Sequence, residues 1–115
     1  MALPEKRKTD EKLLAQVTRV GGMVEYQEGS VVSRTVIDQK SGTVTLFAFE
    51  EGQALSEHTA PFDAMAYVID GKAKITIGGK PFELSAGDMI VMPANQPHAL
   101  HAVNKFKMML IMIRA

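Results

Sequence analysis

Two glycine-bracketed segments, Gly52 to Gly71 and Gly87 to His98, flank a Gly78-Gly79 pair, and together they commit the second half of this chain to a β-meander. Ala73-Lys-Ile-Thr-Ile77 and Lys80-Pro-Phe-Glu-Leu84 read as two β segments joined by a two-residue loop whose glycines supply the positive φ of a tight hairpin. Upstream, Pro61 breaks Gly52 to Gly71 into a strand, a bend and a second strand. Downstream, Gly87-Asp88 opens a turn, Met89 to Met92 is a short apolar strand, and Pro93-Ala-Asn-Gln-Pro97 is a loop that delivers His98 to the start of another strand. His58 and His98 therefore come from different strands.

The first half carries the same β character with one exception. Gly22 to Tyr26, Ser30 to Ile37 and Thr43 to Phe49 read as strands, rich in β-branched residues such as Val31, Val32, Val36 and Ile37. About ten strands are expected in all. The exception is residues 9 to 20, where Thr9-Asp-Glu supplies a cap, Leu13, Leu14, Val17 and Val20 share one helical face, and Gly21-Gly22 provides a stop. A short helix is expected there, preceded by a frayed tail holding Lys6-Arg-Lys8. The expected domains are thus residues 1–21, tail and helix, and 22–115, one β-barrel.

The closing run Phe106-Lys-Met-Met-Leu-Ile-Met-Ile113 is apolar at nearly every position, and such a strand wants cover on both faces. The barrel covers one face. The N-terminal helix or a second copy of the chain must cover the other, and a homodimer is expected. Met108, Met109 and Met112 read as adaptable packing rather than as copper ligands.

Composition narrows the function classes. A chain of 115 residues buries about two-thirds of its unfolded surface, enough for one core. Thirteen basic and thirteen acidic residues leave a formal net charge of zero, which offers no field for nucleic acid or an anionic membrane. No cysteine is present, which excludes disulfides, thiol catalysis and cysteine-type zinc sites. No apolar run approaches a membrane span and no signal-peptide core follows the start, so a cytoplasmic location is the simplest expectation.

The arrangement of Gly52, His58 and Gly71 with Gly87, Pro93 and His98 resembles the two sequence motifs of the cupin superfamily. The resemblance runs from about residue 43 to 114 and implies an all-β fold, a jelly-roll or double-stranded β-helix barrel, often dimeric. It also implies a metal position built from three histidines and a carboxylate, and here this chain departs from the pattern. Ala60 stands at the second histidine position and Ala64 at the glutamate position. Asn95 stands for a glycine and Ala102 for an asparagine of the second motif. The segments around His58 and His98 are similar to those of short single-domain cupins without an assigned reaction.

A divalent transition metal needs about three or four protein donors, and alanine donates nothing. The reading preferred here is a barrel that binds or senses an unknown small molecule without a cofactor. His58 and His98 would orient the ligand, Ala60 and Ala64 would leave room beside them, and Phe62, Met92 and Leu100 would supply wall contacts. The alternative is a metal-dependent enzyme of oxygenase, isomerase or decarboxylase type that holds a divalent metal on His58 and His98. A variant uses His98 as a metal-free general acid or base. A structural or protein-interaction subunit is the second alternative. His101 lies three residues beyond His98, so strand alternation points it to the other face. By the same parity Glu57 is a solvated charge, and Asp63 is a turn-stabilising carboxylate.

Overall fold

The computed structural model describes residues 9–114. They hold seven strands: β1 (Val31–Gln39), β2 (Gly42–Phe49), β3 (Ala54–His58), β4 (Ala64–Ile77), β5 (Lys80–Ser85), β6 (Met89–Met92) and β7 (His98–Ile113). Every pairing is antiparallel. One layer consists of β1, β2, the C-terminal half of β7, the N-terminal half of β4, and β6. The other consists of β3, the N-terminal half of β7, the C-terminal half of β4, and β5. This is the expected double-stranded β-helix. The strands number seven rather than about ten in part because β4 and β7 pass unbroken through both layers, so that Tyr67 to Gly71 and Ala73 to Ile77 belong to one strand.

The passage between layers depends on Gly71. The β4–β7 register shifts on either side of it, between Val68 and Asp70 and between Gly71 and Ala73. Gly71 itself has φ +78°, and a Cβ there would run into the Lys105 carbonyl oxygen and lie 2.8 Å from the Phe106 Cα. Only glycine tolerates both the left-handed backbone and the close approach.

Side-chain alternation sends one set of residues between the layers. Ala64, Ala66, Val68, Ala73, Ile75, Leu84, Met92, Leu100, Ala102 and Met108 form the interior, with Phe49 stacked on Phe106 at 4.5 Å between ring centroids and 10° between planes. Both rings are fully buried. Such a pair contributes about 0.5–1.5 kcal/mol beyond its buried area.

A second, smaller cluster lies on the outer face of the first layer. Leu46, Ala48, Val32, Val36, Ile69 and Met109 meet Val20, Met23, Val24 and Tyr26 from the N-terminal segment. That segment covers the outer face of β7 at Lys107 and Met109, but not as a helix. Residues 9–20 contain a single 3-10 turn, Glu11–Leu13, and a second one follows at Val20–Gly22. Asp10, rather than Thr9, caps the first turn by accepting from the Lys12 N–H at 3.1 Å. Ala15, at φ +54°, breaks any continuation. Of the expected apolar face Val20 packs against the barrel but Leu14 and Val17 are exposed, and a short helix without tertiary packing is marginal in water. Gly22 to Tyr26, expected as a strand, is likewise a turn followed by irregular chain. It is a strap: the Tyr26 hydroxyl donates to Asp70 at 2.5 Å, and Lys107 Nζ donates to the Gly21 carbonyl at 2.6 Å. Arg34 holds the strap's start by pairing with Asp10 at 2.9 Å. Lys6-Arg-Lys8 lies outside the described residues.

Candidate functional site

Two loops bring the candidate residues together. Residues 59–63 join β3 to β4, and residues 93–97 join β6 to β7. The Asn95 N–H donates to the Ala60 carbonyl at 2.7 Å, and the Ala94 N–H donates to Asp63 Oδ1 at 2.8 Å. Asn95 adopts φ +65°, the left-handed conformation that a glycine would supply and that asparagine tolerates best after it. Asp63 is therefore the turn-stabilising carboxylate its position suggested, acting across the two loops.

His58, at the end of β3, and His98, at the start of β7, are directly opposed in the β3–β7 ladder. Opposed residues of an antiparallel pair share a face. Their rings meet edge to face, 4.3 Å between centroids and 67° between planes. His58 Nδ1 lies 2.7 Å from the Ser56 carbonyl, and His98 Nδ1 lies 3.2 Å from the Gln96 carbonyl. A carbonyl can only accept, so in each neutral ring Nδ1 carries the proton and Nε2 keeps the lone pair. His98 is 6% exposed, and His58 is exposed. Burial pushes the His98 imidazole below its ordinary value, and the charge of His58 adds to that, outweighing the opposite effect of the Gln96 carbonyl.

The remaining candidates divide by depth. Ala64, Met92 and Leu100 are buried in the interior cluster, with Ala64 opposite Met92, while Ala60 and Phe62 are half-buried in the β3–β4 loop. His101 is exposed and faces Lys74 on the outside of the second layer, and Glu57 is exposed. The carbonyls of Ser56 and Gln96, which fix both histidine tautomers, leave no trace in side-chain chemistry and could not be read from sequence. A groove of about 240 Å³ lies elsewhere, lined by residues of β1, β2 and the end of β7.

The donor set does not fit a cupin-type metal position. Ala60 and Ala64 supply no ligand atom, and among the described residues no group of three or more His, Asp or Glu side chains converges. Two imidazole nitrogens are what the site offers.

A family model for the cupin domain matches residues 45–114. The chain is a cupin. It is similar to a conserved protein of unknown function from Streptococcus pyogenes, with 35% identity, a TM-score of 0.84, and coverage of 88% of this cupin and 89% of that chain. It is also similar to a cupin 2 conserved barrel domain protein from Leptotrichia buccalis, with 42% identity and a TM-score of 0.76 over 78% of this cupin, although the match spans 44% of that chain. An uncharacterised protein from Streptomyces coelicolor is 25% identical over 67 residues, spanning 58% of this cupin and 64% of that protein. Among the described residues, no helix of this cupin is long and apolar enough to cross a membrane.

Proposed function

We propose that this cupin binds a small molecule of mixed polarity where His58 and His98 meet. The observation that carries the reading is the paired anchoring of the two rings: each Nδ1 is held by a main-chain carbonyl, so each Nε2 is presented as an acceptor of fixed direction. A ligand that donates, through a hydroxyl, an amide or a protonated acid, complements two such acceptors. Ala60 and Phe62, half-buried in the loop that follows His58, favour an apolar body on that ligand, whereas Ala64, Met92 and Leu100 are buried in the interior. The depressed basicity of His98 keeps it neutral and accepting at physiological pH.

The test is imidazole-detected NMR of the protein with a set of small phenols and alcohols. Shifts at both Nε2 positions of the wild-type protein, with the His58 shift lost in His98→Ala, support the reading, and a set that leaves both rings unmoved counts against it. Elemental analysis of protein grown with iron, manganese, nickel, copper and zinc is run beside it. Near-stoichiometric metal lost in both His58→Ala and His98→Ala would replace the binding reading with a metal-dependent one.

A further inference from the structure

The space between the two layers is apolar on one side and hydroxylated on the other. Toward β4, β5 and β6 it is filled by buried apolar residues such as Ala66, Ile75, Leu84 and Met92. Toward β1 and β2 the inner face changes character. Phe47, Leu110 and Met112 pack against the interior, so alternation turns Thr43 and Thr45 the same way. The register sets Ser33 opposite Phe47 and Thr35 opposite Thr45 on this inner face. Ser33 and Thr35 are nevertheless exposed, and Thr43 and Thr45 are half-buried. The interior is therefore open to solvent along β1.

Topology puts the histidine pair on the same open side. β4 holds one edge of β7 in both layers, while the other edge is taken first by β3 and then by β2. β3 and the β1–β2 pair thus flank one side of the barrel, each in its own layer. β7 crosses between the layers from Ala102 to Phe106. His98 precedes that crossing by as many residues as Leu110, the neighbour of Thr45, follows it. Thr45 and Thr35 accordingly stand across the gap from His98 and His58.

The chemistry of this wall is specific. None of its four hydroxyls has a hydrogen-bond partner among the described residues, and those of Thr43 and Thr45 are reached by solvent rather than sealed in. A hydroxyl both donates and accepts, whereas each Nε2 of the histidine pair only accepts. Asp38 and Arg114, at the end of the wall, pair with each other at 3.4 Å and leave it without net charge. Opposed strand residues carry Cβ atoms about 4.5–5.5 Å apart, a spacing that two adjacent hydroxyls of one ligand bridge.

We propose that the ligand of the histidine pair is a neutral cyclic polyol, with one hydroxyl donating to an imidazole Nε2 and a vicinal pair held by Thr35 and Thr45. Phe47, half-buried opposite Ser33, takes the apolar face of its ring. The proposal rests on the ligand reading of His58 and His98 and adds the polar groups that set how many hydroxyls the ligand carries.

Cyclohexanol and cis-1,2-cyclohexanediol differ by one hydroxyl on the same ring and are titrated by NMR. The diol should bind at least about threefold more tightly, moving the Thr35 and Thr45 methyl signals together with both imidazole Nε2 signals. Cyclohexanecarboxylate should bind no more tightly than cyclohexanol. Thr45→Val removes the hydroxyl and keeps a β-branched strand residue, and it should weaken the diol about threefold to tenfold. Thr35→Val should act alike, and Thr45→Ser should restore binding. Thr76→Val should change nothing, because Ile75 and Ile77 face inward and Thr76 therefore faces out. Imidazole shifts with cyclohexanol but no gain for the diol overturn the hydroxyl wall and leave the histidine reading standing. So do a diol affinity indifferent to both valine variants and a carboxylate that binds more tightly than the alcohol. Threonine shifts without imidazole shifts, or silence with every compound, overturn both.

Discussion

His58 and His98 lie opposite one another across the β3–β7 ladder, each with Nδ1 on the carbonyl of the residue two positions before it. Burial lowers the basicity of His98, and the charge of His58 acts in the same direction. His58→Ala should therefore move the His98 midpoint upward, toward 6.5. Ring-proton NMR across pH 4 to 9 checks the direction, and an unchanged or lower midpoint would show that the two rings are not coupled.

The same shift makes stability depend on pH. With the folded-state value of His98 below its unfolded value near 6.5, the unfolded chain binds the proton more readily. This contribution is fully present above about 6.5 and is lost as pH falls through the window between that value and the folded one. Urea midpoints of the wild-type protein should fall over this window, and those of His98→Gln should fall less.

Asp10 behaves similarly at lower pH. Its hydrogen bond from Arg34 holds the carboxyl below the ordinary 3.8. The tie it gives the N-terminal strap is present above that value and is lost as pH falls through the depressed one. Arg34→Ala removes the tie at neutral pH. Hydrogen exchange should accelerate in residues 10–26 and stay unchanged in β4 and β7.

Gly71→Ala should be severely destabilising. The backbone strain of a left-handed alanine costs roughly 1–3 kcal/mol, and its Cβ also meets the Lys105 carbonyl, which β7 cannot withdraw without losing register. Phe106→Ala, which removes one ring of the stack, should cost about 3–5 kcal/mol. Thermal unfolding ranks both against Gly29→Ala, where φ is also positive but nothing lies near a Cβ.

Ala60→His with Ala64→Glu restores the donors that the cupin pattern places beside His58 and His98. Position 64 is buried opposite Met92, so a carboxylate there is unpaired without a cation. The double variant should melt below the wild-type protein in chelator and recover with added nickel or manganese. Equal melting with and without metal would mean that positions 60 and 64 do not face the histidines.

What could be read from the residues alone was what local rules govern. Gly78-Gly79 forms the β4–β5 hairpin, and alternation alone separates His98 from His101. These depend on φ and on a period of two, which a few neighbouring residues dictate. The N-terminal segment escaped because the periodicity of Leu13, Leu14, Val17 and Val20 specifies a helix only if a surface exists to bury it, and the barrel offers a surface for Val20 to Tyr26 instead. The opposition of His58 and His98 required the β3–β7 register, a pairing across about forty residues that no local pattern encodes. The apolar outer row of Ile37, Val44, Ile111, Met65 and Val91 required five strands to be aligned at once. Side-chain identity settled which positions are apolar, and only the tertiary register decided which of them stand together on one outer face.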